Sequence, residues 1–136
     1  MVIAFLDANA LIYQTEGKEP FASQVRSALV GLNLAYPGLQ LSLSRLSWLE
    51  CRVGPMKSND TGLLQRYDSF FALPDLVWVE LTQTVVELAA QIRATHGLKT
   101  PDCLQAACCL QLGNDHVFVT GDGAFQRVAG LHVLQV

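Results

Sequence analysis

The sequence predicts a three-layer α/β/α sandwich around a central, mainly parallel sheet. Three observations lead there. Apolar runs of roughly five residues, too short for helices, alternate with stretches whose apolar residues recur at helical spacing. Turn- and cap-forming residues fall at the junctions. The runs lack polar alternation, as strands do when helices cover both faces of a parallel sheet. With 136 residues, 51% of them hydrophobic and 15% charged, the chain has the length and composition for one core, read as a single domain over residues 1–136. That composition excludes a disordered chain, and no run approaches the roughly 18 apolar residues of a membrane span.

Element by element, Val2 to Leu6 reads as a buried strand and Ala8 to Tyr13 as a short helix, with Asp7 at the junction. Pro20 suits a helix start, and Phe21, Val25, Ala28, Leu29 and Leu32 keep helical spacing as far as Pro37-Gly38. Leu39 to Leu43 reads as the second strand. Ser44 to Val53 reads as a helix whose apolar face holds Leu46, Leu49 and Val53, with Glu50 on that same face. Gly54 to Gly62 is expected to be a loop, and Leu63, Tyr67, Phe70 and Phe71 to stripe the next helix, which Pro74-Asp75 ends. Leu76 to Leu81 reads as a third strand. Thr82 caps a helix carrying Val85, Leu88, Ala89 and Ile92, closed by Gly97. Thr100, as cap, and Pro101 open another that runs to Gly113 and puts Asp102 in its first turn. His116 to Thr120 is a strand, Gly121-Asp122-Gly123 a turn, Ala124 to Arg127 a short helix, and Leu131 to Leu134 the closing strand.

Cys51, Cys103, Cys108 and Cys109 include an adjacent pair and no C-x-x-C, so they read as small buried side chains of a reducing compartment. Met1 to Leu6 lacks the basic start and long apolar stretch of a secretory signal, and a cytoplasmic location is expected. The net charge of −3 gives no overall basic footprint for nucleic acid.

Four acids stand apart from those in loops and on polar faces. Asp7 follows a wholly apolar strand, Glu50 interrupts an apolar helix face, Asp102 opens a helix, and Asp122 sits just past a strand. Singly, Asp102 and Asp122 read as an ordinary first-turn acid and an ordinary turn residue. Asp7 and Glu50 need a partner or a ligand. If all four converge to about 5 Å, at an effective dielectric near 20 each pair repels by roughly 3 kcal/mol, and six pairs approach about 20 kcal/mol. That rivals a whole domain's stability of about 5–15 kcal/mol. Such a site needs protons or a divalent cation, and an all-oxygen donor set selects Mg²⁺ or Mn²⁺. Without those four, eight acids face nine Lys and Arg, so a bound cation would let a polyanion approach. Arg45, Arg52, Lys57, Lys99 and Arg127 are the candidates for holding its phosphates.

Leu6-Asp7-Ala8-Asn9, Ser47-Trp48-Leu49-Glu50, Thr100-Pro101-Asp102-Cys103-Leu104-Gln105-Ala106-Ala107 and Val119-Thr120-Gly121-Asp122, in this order, resemble the PIN-domain family and, within it, the VapC-type toxins of type II toxin–antitoxin pairs. The resemblance covers essentially the whole chain. It implies a Mg²⁺- or Mn²⁺-dependent endoribonuclease leaving a 5′ phosphate and a 3′ hydroxyl. Asp7, Glu50, Asp102 and Asp122 take the metal-binding and catalytic positions, and Asn9 and Thr120 orient carboxylates or water. By the same resemblance, Asp7 and Asp102 ligate directly, Glu50 ligates or activates water, and Asp122 makes a weaker or water-mediated contact. The implied partners are an RNA substrate, a cognate antitoxin protein and a second copy of the chain, with no membrane. Many relatives carry a further acid where this chain has Ala124, which bears on a second metal.

Two other readings remain open at this stage. A PIN scaffold could process RNA outside a toxin–antitoxin pair, or bind RNA or protein without cutting. An α/β phosphatase also places an acid after its first strand, but wants a second Asp where Asn9 stands.

Overall fold

A computed structural model describes residues 1–136. Its elements in chain order are β1 (Ile3–Leu6), α1 (Ala8–Glu16), α2 (Phe21–Ala35), β2 (Gln40–Ser44), α3 (Arg45–Lys57), α4 (Thr61–Phe71), β3 (Val77–Val79), α5 (Gln83–His96), α6 (Thr100–Leu110), β4 (His116–Thr120) and β5 (Val133–Gln135), with a 3₁₀ turn over Gly123–Arg127. All strand pairings are parallel, in the order β3-β2-β1-β4-β5. The expected three-layer sandwich is the observed architecture.

Side chains alternate across the sheet as the pleat requires. Phe5 and Phe118 point to the face covered by α5 and α6, where they join Val85, Ile92, Cys108 and Phe125. Ala4, Leu6, Leu43 and Val119 point to the opposite face, toward Leu11, Val25, Cys51 and Tyr67 of α1 to α4. All four cysteines are buried and free, and burial pushes the Cys51 and Cys108 thiols up to about 12. No helix is long and apolar enough to cross a membrane.

Three local expectations are corrected. Gly54 and Pro55 do not start a loop, because α3 runs on to Lys57 with Pro55 inside it. The proline sits in the last turn, where its ring is buried and one N–H is missing from the helix ladder. The face of α3 turned inward is Ser47, Cys51 and Pro55, whereas Leu49 and Val53 are 53% and 40% exposed. Small side chains let the helix approach its neighbours closely, and counting only large apolar residues picked the outer face. Finally, Thr100 does not cap α6. Lys99 holds the cap position with no side-chain bond, and Thr100 is the first helical residue.

Phe118, fully buried, stacks on Phe5 at 5.5 Å and meets Phe125 at 4.5 Å between ring centroids. Phe118→Ala is expected to lower stability by about 3–5 kcal/mol in urea unfolding. A loss below about 1 kcal/mol would contradict this account of the core.

Candidate functional site

From β1 the chain winds outward to β2 and β3, and from β4 it winds the other way to β5. Such a reversal opens a crevice beyond the carboxyl ends of the two central strands. Asp7 is the first residue past β1, and Asp122 lies two past the end of β4. Helices α3 and α6 carry Glu50 and Asp102 near enough for their charges to act on Asp7.

Asp7 is 4% exposed and caps α1, its Oδ1 accepting from the Ala8 N–H at 2.9 Å. Its Oδ2 accepts from the Thr120 hydroxyl at 2.8 Å, and the same hydroxyl oxygen accepts from the Asp122 N–H at 3.0 Å. One β4 side chain thus joins the two acids that follow the central strands. Asp122 in turn accepts from the Ala124 N–H at 2.9 Å, which closes the turn into the 3₁₀ segment, while Phe125 is buried in the core. Asn9 accepts from the Gly121 N–H at 3.2 Å. A Cβ at Gly121 would stand 2.9 Å from the Tyr13 ring, so any larger residue there requires that ring to shift.

Glu50 lies in the middle of α3 and is half-buried, beside the inward-facing Cys51 and not within a buried stripe of large apolar residues. Its Oε1 accepts from Nε2 of Gln105 at 2.9 Å. Gln105, at 1% exposure, also donates to Ser47 Oγ at 2.9 Å and accepts from the Ser44 hydroxyl at 2.8 Å. Sequence reasoning gave Gln105, Ser44 and Ser47 no role. The available signal was an amide one turn beyond Asp102 in an otherwise Ala- and Cys-rich helix, where a buried polar side chain needs partners.

The charges of the four acids are felt from one to the next. Burial pushes the Asp7 carboxyl up to about 7, against the Thr120 and Ala8 hydrogen bonds, with Asp102 and Glu50 adding to the rise. Burial also raises Glu50, opposed by the Gln105 bond and helped by Asp102. Asp102 is raised by burial and then by Asp122, with Lys99 drawing it down. None of the four has a direct ion pair, since the chain's salt bridges join Lys18 to Glu16, Arg45 to Glu80 and Arg52 to Asp68.

Two of the basic residues read as phosphate holders are therefore committed elsewhere. Arg45 also lies over Trp78 and Arg52 over Trp48, at 4.2 and 4.8 Å from the ring centroids. Planar guanidinium groups prefer a carboxylate and an aromatic face together. Lys57, Lys99 and Arg127 make no ion pair.

An all-carboxylate set around a buried, uncompensated acid has the donor chemistry of a hard divalent cation. No three of these groups draw close enough to form a ready-made ligand cage. Mg²⁺ is commonly held by one or two carboxylates and several waters, so the residues fit a hydrated ion. Asp7, Glu50, Asp102 and Asp122 are the groups that could hold one.

A family model described as PIN domain matches residues 4–131. Chains of nearly the same length in solved structures share the fold. One, in VapBC2 from Rickettsia felis bound to a DNA fragment from their promoter, is 15% identical over 98% of both chains, with a TM-score of 0.75. Another, in DNA-bound VapBC from Salmonella typhimurium, is 21% identical over 99% of this chain and 98% of that one, with a TM-score of 0.74. A third, in a toxin–antitoxin complex from Klebsiella pneumoniae, is 26% identical over 97% of this chain and 96% of that one, with a TM-score of 0.69. No curated protein matches the chain in sequence.

The raised Asp7 carboxyl has a consequence for stability. Its value rises from 3.8 to about 7 on folding, so between those limits the folded state binds more protons than the unfolded chain. Metal-free protein is expected to lose stability as pH rises through that window, by up to about 4 kcal/mol from Asp7. Asp7→Asn should stabilise metal-free protein at pH 8 by roughly 2–4 kcal/mol and change it little at pH 4. Urea titrations at the two pH values check this, and equal stabilities at pH 8 would contradict it.

Proposed function

The chain belongs to the PIN-domain family, and we propose that it is a metal-dependent endoribonuclease, the toxin of a type II toxin–antitoxin pair. The observation that carries the reading is Asp7, a buried carboxylate with no cationic partner, at the switch point of a parallel sheet and within reach of the charges of Glu50 and Asp102. The near-complete overlap with a chain of the Klebsiella pneumoniae toxin–antitoxin complex supports the toxin half.

In this reading Asp7 and Asp102 are the direct ligands of Mg²⁺ or Mn²⁺, Glu50 a ligand or the base for the attacking water, and Asp122 a more distant, water-mediated support. When bound, the ion supplies Lewis acidity toward the scissile phosphate and an acidified water. Thr120 fixes Asp7 by donating to one oxygen, and by accepting the Asp122 N–H it sets the spacing of the two acids. Asn9 holds the Gly121 peptide, which keeps the Asp122 turn against α1. Lys57, Lys99 and Arg127 are the cations left to meet the RNA backbone. The site leaves a 5′ phosphate and a 3′ hydroxyl, a cognate antitoxin restrains it, and the working form is a homodimer in the cytoplasm.

Purified protein with Mn²⁺ or Mg²⁺ should cleave single-stranded or structured RNA, and chelation should abolish cleavage. Asp7→Asn and Asp102→Asn should each lower the rate by at least about 100-fold, and Glu50→Gln by about 10–100-fold. End-group analysis reads the products. RNA left whole under all these conditions would overturn the nuclease reading, and growth unaffected by expressing the active chain would overturn the toxin reading.

A further inference from the structure

We propose that Gln105 is the positioning residue of the carboxylate cleft, its side-chain amide fixing the direction in which Glu50 presents one oxygen to a cation. The inference rests on the metal-site reading above and deepens it.

The amide is held at both ends. Its two N–H bonds go to Glu50 Oε1 and to Ser47 Oγ, each at 2.9 Å, and its carbonyl accepts from the Ser44 hydroxyl at 2.8 Å. Turning the amide over would set its carbonyl against the Glu50 carboxylate, acceptor to acceptor, so the orientation is fixed by chemistry. Ser44 is itself locked, because it ends β2, caps α3 and accepts from the Ser47 N–H at 3.2 Å. The chain of contacts therefore runs from the sheet through a fully buried amide of α6 to an acid of α3.

Glu50 is half-exposed and would otherwise turn about three side-chain torsions. With Oε1 engaged by Gln105, Oε2 is the oxygen left for a ligand. The donor's neutrality matters as much as its place. A Lys or Arg here would neutralise Glu50 and repel a divalent ion, whereas an amide orients the carboxylate and leaves its charge for the cation. Gln105 also lies one turn beyond Asp102, so the same helix supplies one acid and the clamp on another.

The test is Mn²⁺ affinity by calorimetry on the full chain without RNA, with thermal unfolding measured in parallel. Gln105→Met keeps the length and removes the donor, and should weaken Mn²⁺ binding about 10–100-fold. Ser47→Ala removes the amide's other bond but does not touch Glu50. It loosens the amide without removing the bond to Glu50, and should weaken Mn²⁺ binding in the same direction but by less than Gln105→Met does. In the Glu50→Gln background, adding Gln105→Met should change affinity by no more than about twofold, since its route of action is gone. Should Gln105→Met fail to fold, Ser44→Ala, which frees the amide's carbonyl, should weaken affinity in the same direction. Wild-type affinity in Gln105→Met, or in Ser44→Ala where Gln105→Met does not fold, or an equal loss with and without Glu50, overturns the proposal while the metal site stands. A wild-type chain that takes up no Mn²⁺ overturns the metal reading and this one with it.

Discussion

Burying the Asp7 carboxylate without a cation beside it is the constraint on which the rest of the site depends. Two hydrogen bonds, from Ala8 and from Thr120, are all that the protein offers that charge, and they do not balance the loss of water. The neighbouring acids make the balance worse. A fold that keeps such a group spends part of its stability on it, and a bound divalent ion would reverse the sign of that cost.

What makes the arrangement tolerable is the rigidity of its surroundings. Phe5 and Phe118 lock β1 to β4 on one face of the sheet, and Leu6 and Val119 do so on the other. The two strands end side by side in fixed register, which holds Asp7 and Asp122 at neighbouring positions on one edge of the sheet. The Thr120 hydroxyl, donating to one acid and accepting from the peptide of the other, serves the same end.

Glu50 is held by a polar contact instead, from the helix that carries Asp102. Ser44, Ser47 and Gln105 tie α3 to α6 through a buried network in which the amide's donors and its carbonyl are all used. Surface electrostatics follows the same division. Arg45 and Arg52 brace the outer helices against Glu80, Asp68 and two tryptophans, which leaves the unpaired bases as the positive groups open to a polyanion.

Much of this was legible in the residues. His116 to Thr120 is read to the residue, and the helix from Thr82 to Gly97 is recovered because its cap, stripe and stop agree. Asp7 was conspicuous as a charge directly after an apolar run. The face of α3 was misread because packing there is set by small side chains, Ser47 and Cys51, whose value lies in how close they let another helix come. Periodicity weighs size and polarity along one segment, and it cannot weigh a neighbour it does not contain. The residue pattern by itself determined the layers, the parallel sheet and the family motifs, because these follow from local spacing. Only the tertiary structure decided that β1 ends beside β4, that Gln105 reaches Glu50, and that Arg45 and Arg52 are occupied, because each is a contact between residues distant along the chain.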